Sequence, residues 1–203
     1  SVQVFRAQPK TLTRLPRFLK RALREGPRAT AARLGELSDP VRFAPGYQSW
    51  LDEFHVPTEQ ECASMQSWAM GLEHPPKIAV LMPVFDPRPE WLQQAIDSVL
   101  DQIYPHWQLC IADDCSLDPQ IRKLLEAAEA SDPRIQVVFR QENGHISACS
   151  NSALELVDCP WVALLDHDDL LTPDALTWVA RAIHDHPAAS LFYSDEDKIG
   201  RYG

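Results

Sequence analysis

Trp161-Val162-Ala163-Leu164-Leu165-Asp166-His167-Asp168-Asp169 is the stretch that decides the fold of this 203-residue chain. An unbroken apolar run gives way abruptly to three carboxylates. A short run of this kind predicts a strand buried on both faces of a parallel sheet. The acids then stand where the strand leaves the sheet, at the edge where open α/β sheets bind their ligands. Crowded carboxylates repel one another. A divalent cation holding a phosphorylated ligand would relieve the repulsion, because hard cations favour carboxylate oxygens. On extended chain Asp166 and Asp168 would point the same way. The plain alternative is a solvated strand end before a helix, capped by Asp169 or Thr172.

Working outward, residues 77–203 alternate strand and helix. Ile78 to Met82 reads as a buried strand that breaks at Pro83-Val84-Phe85-Asp86. Trp91, Leu92, Ala95, Ile96, Val99, Leu100 and Ile103 mark an amphipathic helix. Trp107 to Ala112 is a second strand, ending in Asp113-Asp114-Cys115-Ser116. A helix with Leu124, Leu125 and Ala128 inward comes next, then a strand from Ile135 to Phe139. Gly144 opens a helix through about Leu156. After the Trp161 strand, Pro173 starts a helix to about His184, and Ser190 to Tyr193 forms the last strand, before Asp195-Glu196-Asp197. This order predicts an α/β fold with a mainly parallel sheet and helices on both faces. Three strands end in acids, so a parallel sheet would gather those acids on one edge.

Residues 1–76 read as a helical extension. Leu12, Leu15, Phe18, Leu19, Ala22 and Leu23 recur at helical spacing, and a second short helix covers Arg28 to Leu37. Residues 38–46 read as a linker. Tyr47, Trp50, Leu51 and Phe54 form an aromatic helical face suited to packing. Thr58-Glu59-Gln60-Glu61 is a capping box ahead of Cys62, Met65, Ala69 and Leu72.

The net charge of −10 conceals an asymmetry: residues 1–42 hold ten basic against three acidic residues, a net +7 that leaves −17 for the rest. Such an arm would meet an anionic partner such as a membrane surface, or dock on the acidic body itself. No nucleic-acid partner is expected. The five cysteines are odd in number and lack CxxC spacing, which argues for reduced thiols in a cytoplasmic protein rather than a zinc site or a disulfide framework. No apolar run approaches the roughly 20 residues of a membrane span, and no signal-peptide pattern opens the chain. The start at Ser1 and the stop at Gly203 suggest a piece of a longer protein. Neither GxGxxG nor a P-loop follows the first strand, so phosphate would be held by a metal on carboxylates rather than by glycine-loop amides.

Four motifs in order carry a resemblance: Pro83-Val84-Phe85 after a strand, Asp113-Asp114-x-Ser116, Asn143-Gly144-His145-Ile146-Ser147-Ala148 with Asn151, and Leu165-Asp166-His167-Asp168-Asp169. Together they resemble a family 2 glycosyltransferase over about residues 77–199. Tyr47-x-x-Trp50 and the Tyr193–Ile199 tail are similar to a bacterial subgroup of O-antigen and surface-polysaccharide enzymes, often rhamnosyltransferases. The resemblance implies a GT-A fold and inverting, metal-dependent transfer from a UDP- or dTDP-sugar to a glycan or lipid-linked acceptor. It implies a site at the cytoplasm or the inner face of its membrane.

In that reading Pro83, Val84 and Phe85 line the nucleoside pocket. One of Asp113 and Asp114 accepts a hydrogen bond from the base imide N–H, while the second aspartate could instead cap beside Ser116. Asn143, Gly144 and His145 place the nucleotide near a helix start. Asp166 and Asp168 match the DxD motif that binds Mn²⁺ or Mg²⁺ across the diphosphate, with His167 turned away from the metal. Ser150 stands where many relatives carry an Arg. The catalytic base is expected beyond Gly203. Two other readings stand beside this one: a sugar-phosphate nucleotidyltransferase, which would need a Gly- and Arg-rich loop after the first strand, and a catalytically inactive nucleotide-binding or membrane-docking module.

Overall fold

The computed structural model describes residues 3–6 and 57–194. The expected helices between Leu12 and Leu37, the linker, the Tyr47–Phe54 face and the acids from Asp195 onward lie outside those residues. In chain order the elements are β1 (Gln3–Arg6), α1 (Glu59–Met70), β2 (Ile78–Val84), α2 (Pro89–Leu100), β3 (Trp107–Asp113), α3 (Pro119–Ser131), β4 (Ile135–Phe139), α4 (His145–Leu154), β5 (Trp161–Leu164), α5 (Ala175–Asp185) and β6 (Leu191–Tyr193). They build one six-stranded sheet in the order β4-β3-β2-β5-β1-β6. The four strands β4, β3, β2 and β5 are parallel neighbours. β1 pairs antiparallel with both β5 and β6, so β6 runs in the direction of β5. The sequence offered no signal for β1, a four-residue strand that exists only through its two neighbours.

The strands divide the core by their alternation. Ile78, Val80, Met82 and Val84 of β2 face a large cluster with Leu92, Ile96 and Val99 of α2, Ile121 and Leu125 of α3, and Leu176 and Ala180 of α5. Ala79 and Leu81 face the opposite side, where Cys149 and Ala153 of α4 pack on Cys110, Ala112 and Val162. The residues on this second side are mostly small, so α4 can lie close against β2 and β3. Helices therefore cover both faces, as the alternation of strand and helix requires.

Local chemistry sets the element ends. Pro119 starts α3 behind Asp118, whose side chain accepts from the Gln120 N–H at 2.8 Å. The outer edge of β4 is blunted by Glu129, whose carboxylate accepts from the Val137 N–H at 2.8 Å. α1 begins at Glu59, directly after Thr58, and buries Met65 and Ala69 of the expected stripe, while Cys62 and Leu72 are only half-buried.

The ends of β2 and β5 differ from the sequence reading for linked reasons. β2 does not break at Pro83 but continues to Val84. A proline inside a central strand would remove a ladder bond. Here the pairing of β2 with β5 ends at Leu81–Leu164, and beyond it β2 pairs with β3 alone. Pro83 thus occupies an effective edge. β5 ends at Leu164, closed by the Leu165 N–H on the Leu81 carbonyl at 3.0 Å. The two strands part here, and the gap between them is where the order of strands reverses.

Candidate active site at the β2–β5 divergence

Numbered among the four parallel strands alone, the order is 3-2-1-4, with the reversal between β2 and β5. Open α/β sheets bind ligands at such a point, outside the carboxyl ends of the strands. A cleft of about 310 Å³ lies there, lined by Pro83, Val84, Phe85, Asp114, Asn143, His145, Ile146, Cys149, Asp166, His167 and Asp168. Residues from the ends of three strands and the first turns of α4 thus meet in one place.

Each wall has its own cause. Phe85 follows β2 directly and is 46% exposed, so its ring is available to a ligand. Asp86, at φ 43°, turns the chain away and accepts from the Leu117 N–H at 2.6 Å, while its own N–H donates to Ser116 Oγ at 2.9 Å. That exchange ties the loop after β2 to the loop after β3. Asn143 Oδ1 accepts from the His145 N–H at 3.1 Å, which steadies the start of α4 with His145 at φ 61°. Cys149 sits beneath the cleft and its thiol donates to the Ala112 carbonyl at 3.0 Å; burial pushes that thiol up to about 11, so it stays protonated.

The two aspartates at the end of β3 separate in role. Asp113 is buried, its Oδ2 accepts from the Ser116 N–H at 3.2 Å, and its Oδ1 is buried with no hydrogen-bond partner among the described residues. The cap beside Ser116 is therefore the first aspartate, not the second: the β-strand runs through Asp113 and the chain turns immediately after it. Of the two, Asp114 is the one that borders the cleft. Its carboxylate, 2% exposed, accepts from Arg140 Nε at 2.7 Å and from the Gly144 N–H at 3.0 and 3.1 Å. Arg140 is the residue that sequence reasoning missed. A single basic residue at the exit of an apolar strand was its only signal.

Asp166, His167 and Asp168 all border the cleft. The chain is no longer extended at His167. β5 has ended, and the Asp169 N–H donates to the Asp166 carbonyl at 3.1 Å in a turn. Strand alternation does not apply in a turn, so Asp166 and Asp168 share the cleft through the turn rather than through period two. Asp166 keeps solvent access, yet surrounding protein desolvates its carboxyl and the charges of Asp169 and Asp168 add to the effect. Together these raise it above the usual carboxylate range, with His167 opposing.

Among the described residues no three of His, Cys, Asp or Glu gather as a metal-binding group. The protein can offer a cation two carboxylates at this point, Asp166 and Asp168. That donor set fits Mg²⁺ or Mn²⁺ shared with a phosphorylated ligand, since such ions are commonly held by one or two carboxylates plus substrate phosphates. It does not fit a closed zinc site.

The class these features define is the α/β fold of GT-A glycosyltransferases. The crystal structure of S. aureus TarS 1-349 in complex with UDP-GlcNAc matches with a TM-score of 0.51 at 24% identity, over 55% of this chain and 32% of that one. The glycosyl transferase family 2 model matches residues 79–200, more than half of the chain, and the chain belongs to that family. Among curated relatives, the uncharacterized protein y4gI of Sinorhizobium fredii is 52% identical over 63% of this chain and 14% of its own length. The O-antigen biosynthesis protein RfbC of Myxococcus xanthus is 30% identical over 65% of this chain and 10% of its own length. The chain thus spans only a small part of these relatives.

Proposed function

We propose that this chain carries the donor-binding half of a metal-dependent, inverting glycosyltransferase. It would take a UDP- or dTDP-sugar and act in bacterial surface-polysaccharide synthesis on a glycan or lipid-linked acceptor. The observation that carries this reading is the convergence of Phe85, Asp114, His145, Asp166 and Asp168 on one cleft at the sheet's reversal. Family membership and the biosynthetic name of the relative RfbC support it. A nucleotidyltransferase reading finds no support, since Pro83-Val84-Phe85-Asp86-Pro87 replaces the Gly- and Arg-rich loop it needs.

In this reading the base lies against Pro83 and Phe85. Asp114 is the carboxylate with access to it. An ionised carboxylate has about four acceptor positions, so Asp114 retains capacity beyond Arg140 and Gly144. It can accept from the ring N–H of uracil or thymine, a donor that cytosine and adenine lack. Asn143 and His145 form the rim beside the nucleotide. Asp166 and Asp168 would hold Mn²⁺ or Mg²⁺, which when bound supplies Lewis-acid stabilisation of charge on the departing diphosphate. The acceptor hydroxyl would attack from the face opposite the diphosphate and lose its proton to a carboxylate base, which gives inversion. None of the cleft carboxylates is assigned that base role.

Calorimetric titration of UDP and dTDP into the 203-residue chain, with and without MnCl₂, tests the reading. Metal-dependent binding is expected, abolished by Asp168→Ala and weak for ADP. Equal binding without metal, or no effect of Asp168→Ala, refutes it.

A further inference from the structure

Arg140 belongs to no motif that suggested the family, yet its side chain makes polar contacts with three other residues beside the cleft. Its Nε donates to Asp114 Oδ1 at 2.7 Å. Its Nη1 donates to the Ala148 carbonyl at 3.2 Å and to Ser152 Oγ at 2.7 Å. Its own N–H donates to the Asp113 carbonyl at 2.9 Å. One side chain therefore spans from the exit of β3 to the second turn of α4. The guanidinium also lies close against Gly144, where a Cβ would fall 2.5 Å from Nη2 and 3.3 Å from Cζ. The glycine is what lets the arginine pass beneath the Asn143–His145 rim.

The arrangement is charge-matched and closed. Asp114 is 2% exposed, and an ionised group so buried requires a partner. Arg140 is 19% exposed at its side chain and supplies that charge. The rigid guanidinium fork suits it to bridge a carboxylate, a carbonyl and a hydroxyl at once, which a lysine ammonium cannot reproduce in the same plane. Asp114 in turn holds the Gly144 N–H with both oxygens. Thus the direction of the Asp114 carboxylate and the position of the first turn of α4 are set by the same residue.

We propose that Arg140 is a positioning residue for nucleotide binding. By pairing with Asp114 and bridging to Ala148 and Ser152, it locks the start of α4 to the end of β3 and so sets the Asp114 and Asn143–His145 walls of the cleft. This rests on the donor-binding reading above. Arg140 does not border the cleft, so it acts through Asp114 and Gly144 rather than by touching the nucleotide.

The test uses the full chain, with UDP and MnCl₂ as the probe. Three quantities are followed: the UDP dissociation constant, the thermal midpoint, and the ¹H–¹⁵N signal of Gly144. That amide is bound to a charged acceptor and should resonate well downfield. For Arg140→Met the Gly144 signal is expected to lose its downfield shift, and UDP affinity to fall at least tenfold at a temperature where the protein remains folded. Arg140→Lys should recover the thermal midpoint more fully than the affinity. Should Arg140→Met not fold, Ser152→Ala removes one anchor of the guanidinium and should weaken UDP binding two- to fivefold with the fold intact. Variants that lower the thermal midpoint but leave UDP affinity within twofold and the Gly144 signal in place would reduce Arg140 to a purely structural role and overturn the proposal. Failure of the donor-binding reading looks different: the unsubstituted chain itself would not bind UDP.

Discussion

Gly144→Ala offers a quantitative test of the lock between β3 and α4. A Cβ at this position would lie 2.5 Å from Arg140 Nη2 and 2.8 Å from Ala148 Cβ. The clash can be relieved by moving the first turn of α4, or by expelling the guanidinium. The first is an overpacking cost of about 1–3 kcal/mol. The second strands the buried Asp114 carboxylate, and breaking a buried pair from one side costs about 3–5 kcal/mol. Because Asp114 keeps the Gly144 N–H, the net loss should fall between, about 2–4 kcal/mol. For a chain of this length, each kcal/mol moves the Tm by roughly 2–4 °C, so a fall of roughly 5–15 °C is expected. Gly71→Ala is the matched control. Among the described residues its added Cβ would meet the Ser67 and Trp68 carbonyls at 3.4 and 3.5 Å, ordinary contact distances. That change should leave the Tm unaltered or raise it slightly, since alanine restricts the unfolded chain by about 0.4–1 kcal/mol. Differential scanning calorimetry on the two variants decides the matter. Equal midpoints for the two alanines would show that the guanidinium can vacate Gly144 at no cost, and the lock would not exist.

Two ion pairs should respond very differently to truncation. Asp158→Ala breaks the exposed Lys77–Asp158 pair and should cost less than about 1 kcal/mol in a urea titration, whereas Arg140→Met should cost about 3–5 kcal/mol. Asp166 ionises against desolvation and two neighbouring acids, so its folded-state pKa lies above the unfolded one. Its contribution to stability is therefore present below the ordinary aspartate pKa and lost as pH rises through the folded value. Asp166→Asn should accordingly raise the Tm at pH 7, with the difference closing in acid, while Mn²⁺ binding followed by electron paramagnetic resonance is lost. Cys110 and Cys149 are buried, with thiols pushed up to about 12 and about 11, so mass spectrometry after alkylation at pH 8 should find them unmodified while the partly exposed Cys115 reacts.

The β2, β3, β4 and β5 strands and their helices were legible because their residues answer to local rules. Buried parallel strands must be apolar throughout, and the covering helices must show one apolar stripe, so Ile78–Met82 and the α2 stripe of Leu92, Ile96 and Val99 can be read from the chain alone. The acids at the exits of β3 and β5 were legible for the same reason: polarity changes sharply where a buried strand ends. β1 was not, because four residues carry too little pattern, and its pairing with β5 and β6 comes from segments more than 150 residues away. The division of labour between Asp113 and Asp114 was equally hidden. Adjacent identical side chains are distinguished only by what surrounds them, here Ser116 for one and Arg140 with Gly144 for the other.

By itself, then, the order of residues determined that strands and helices alternate, which faces are apolar, and that carboxylates collect at strand exits, since these depend on neighbours a few positions apart. Only the tertiary structure decided that β2 and β5 part at Leu81 and Leu164, that this parting gives Pro83 an edge to occupy, and that Arg140 reaches across to Asp114. Those outcomes depend on which distant strands become neighbours. That choice is made by the packing of whole elements and leaves no periodic trace in any one segment.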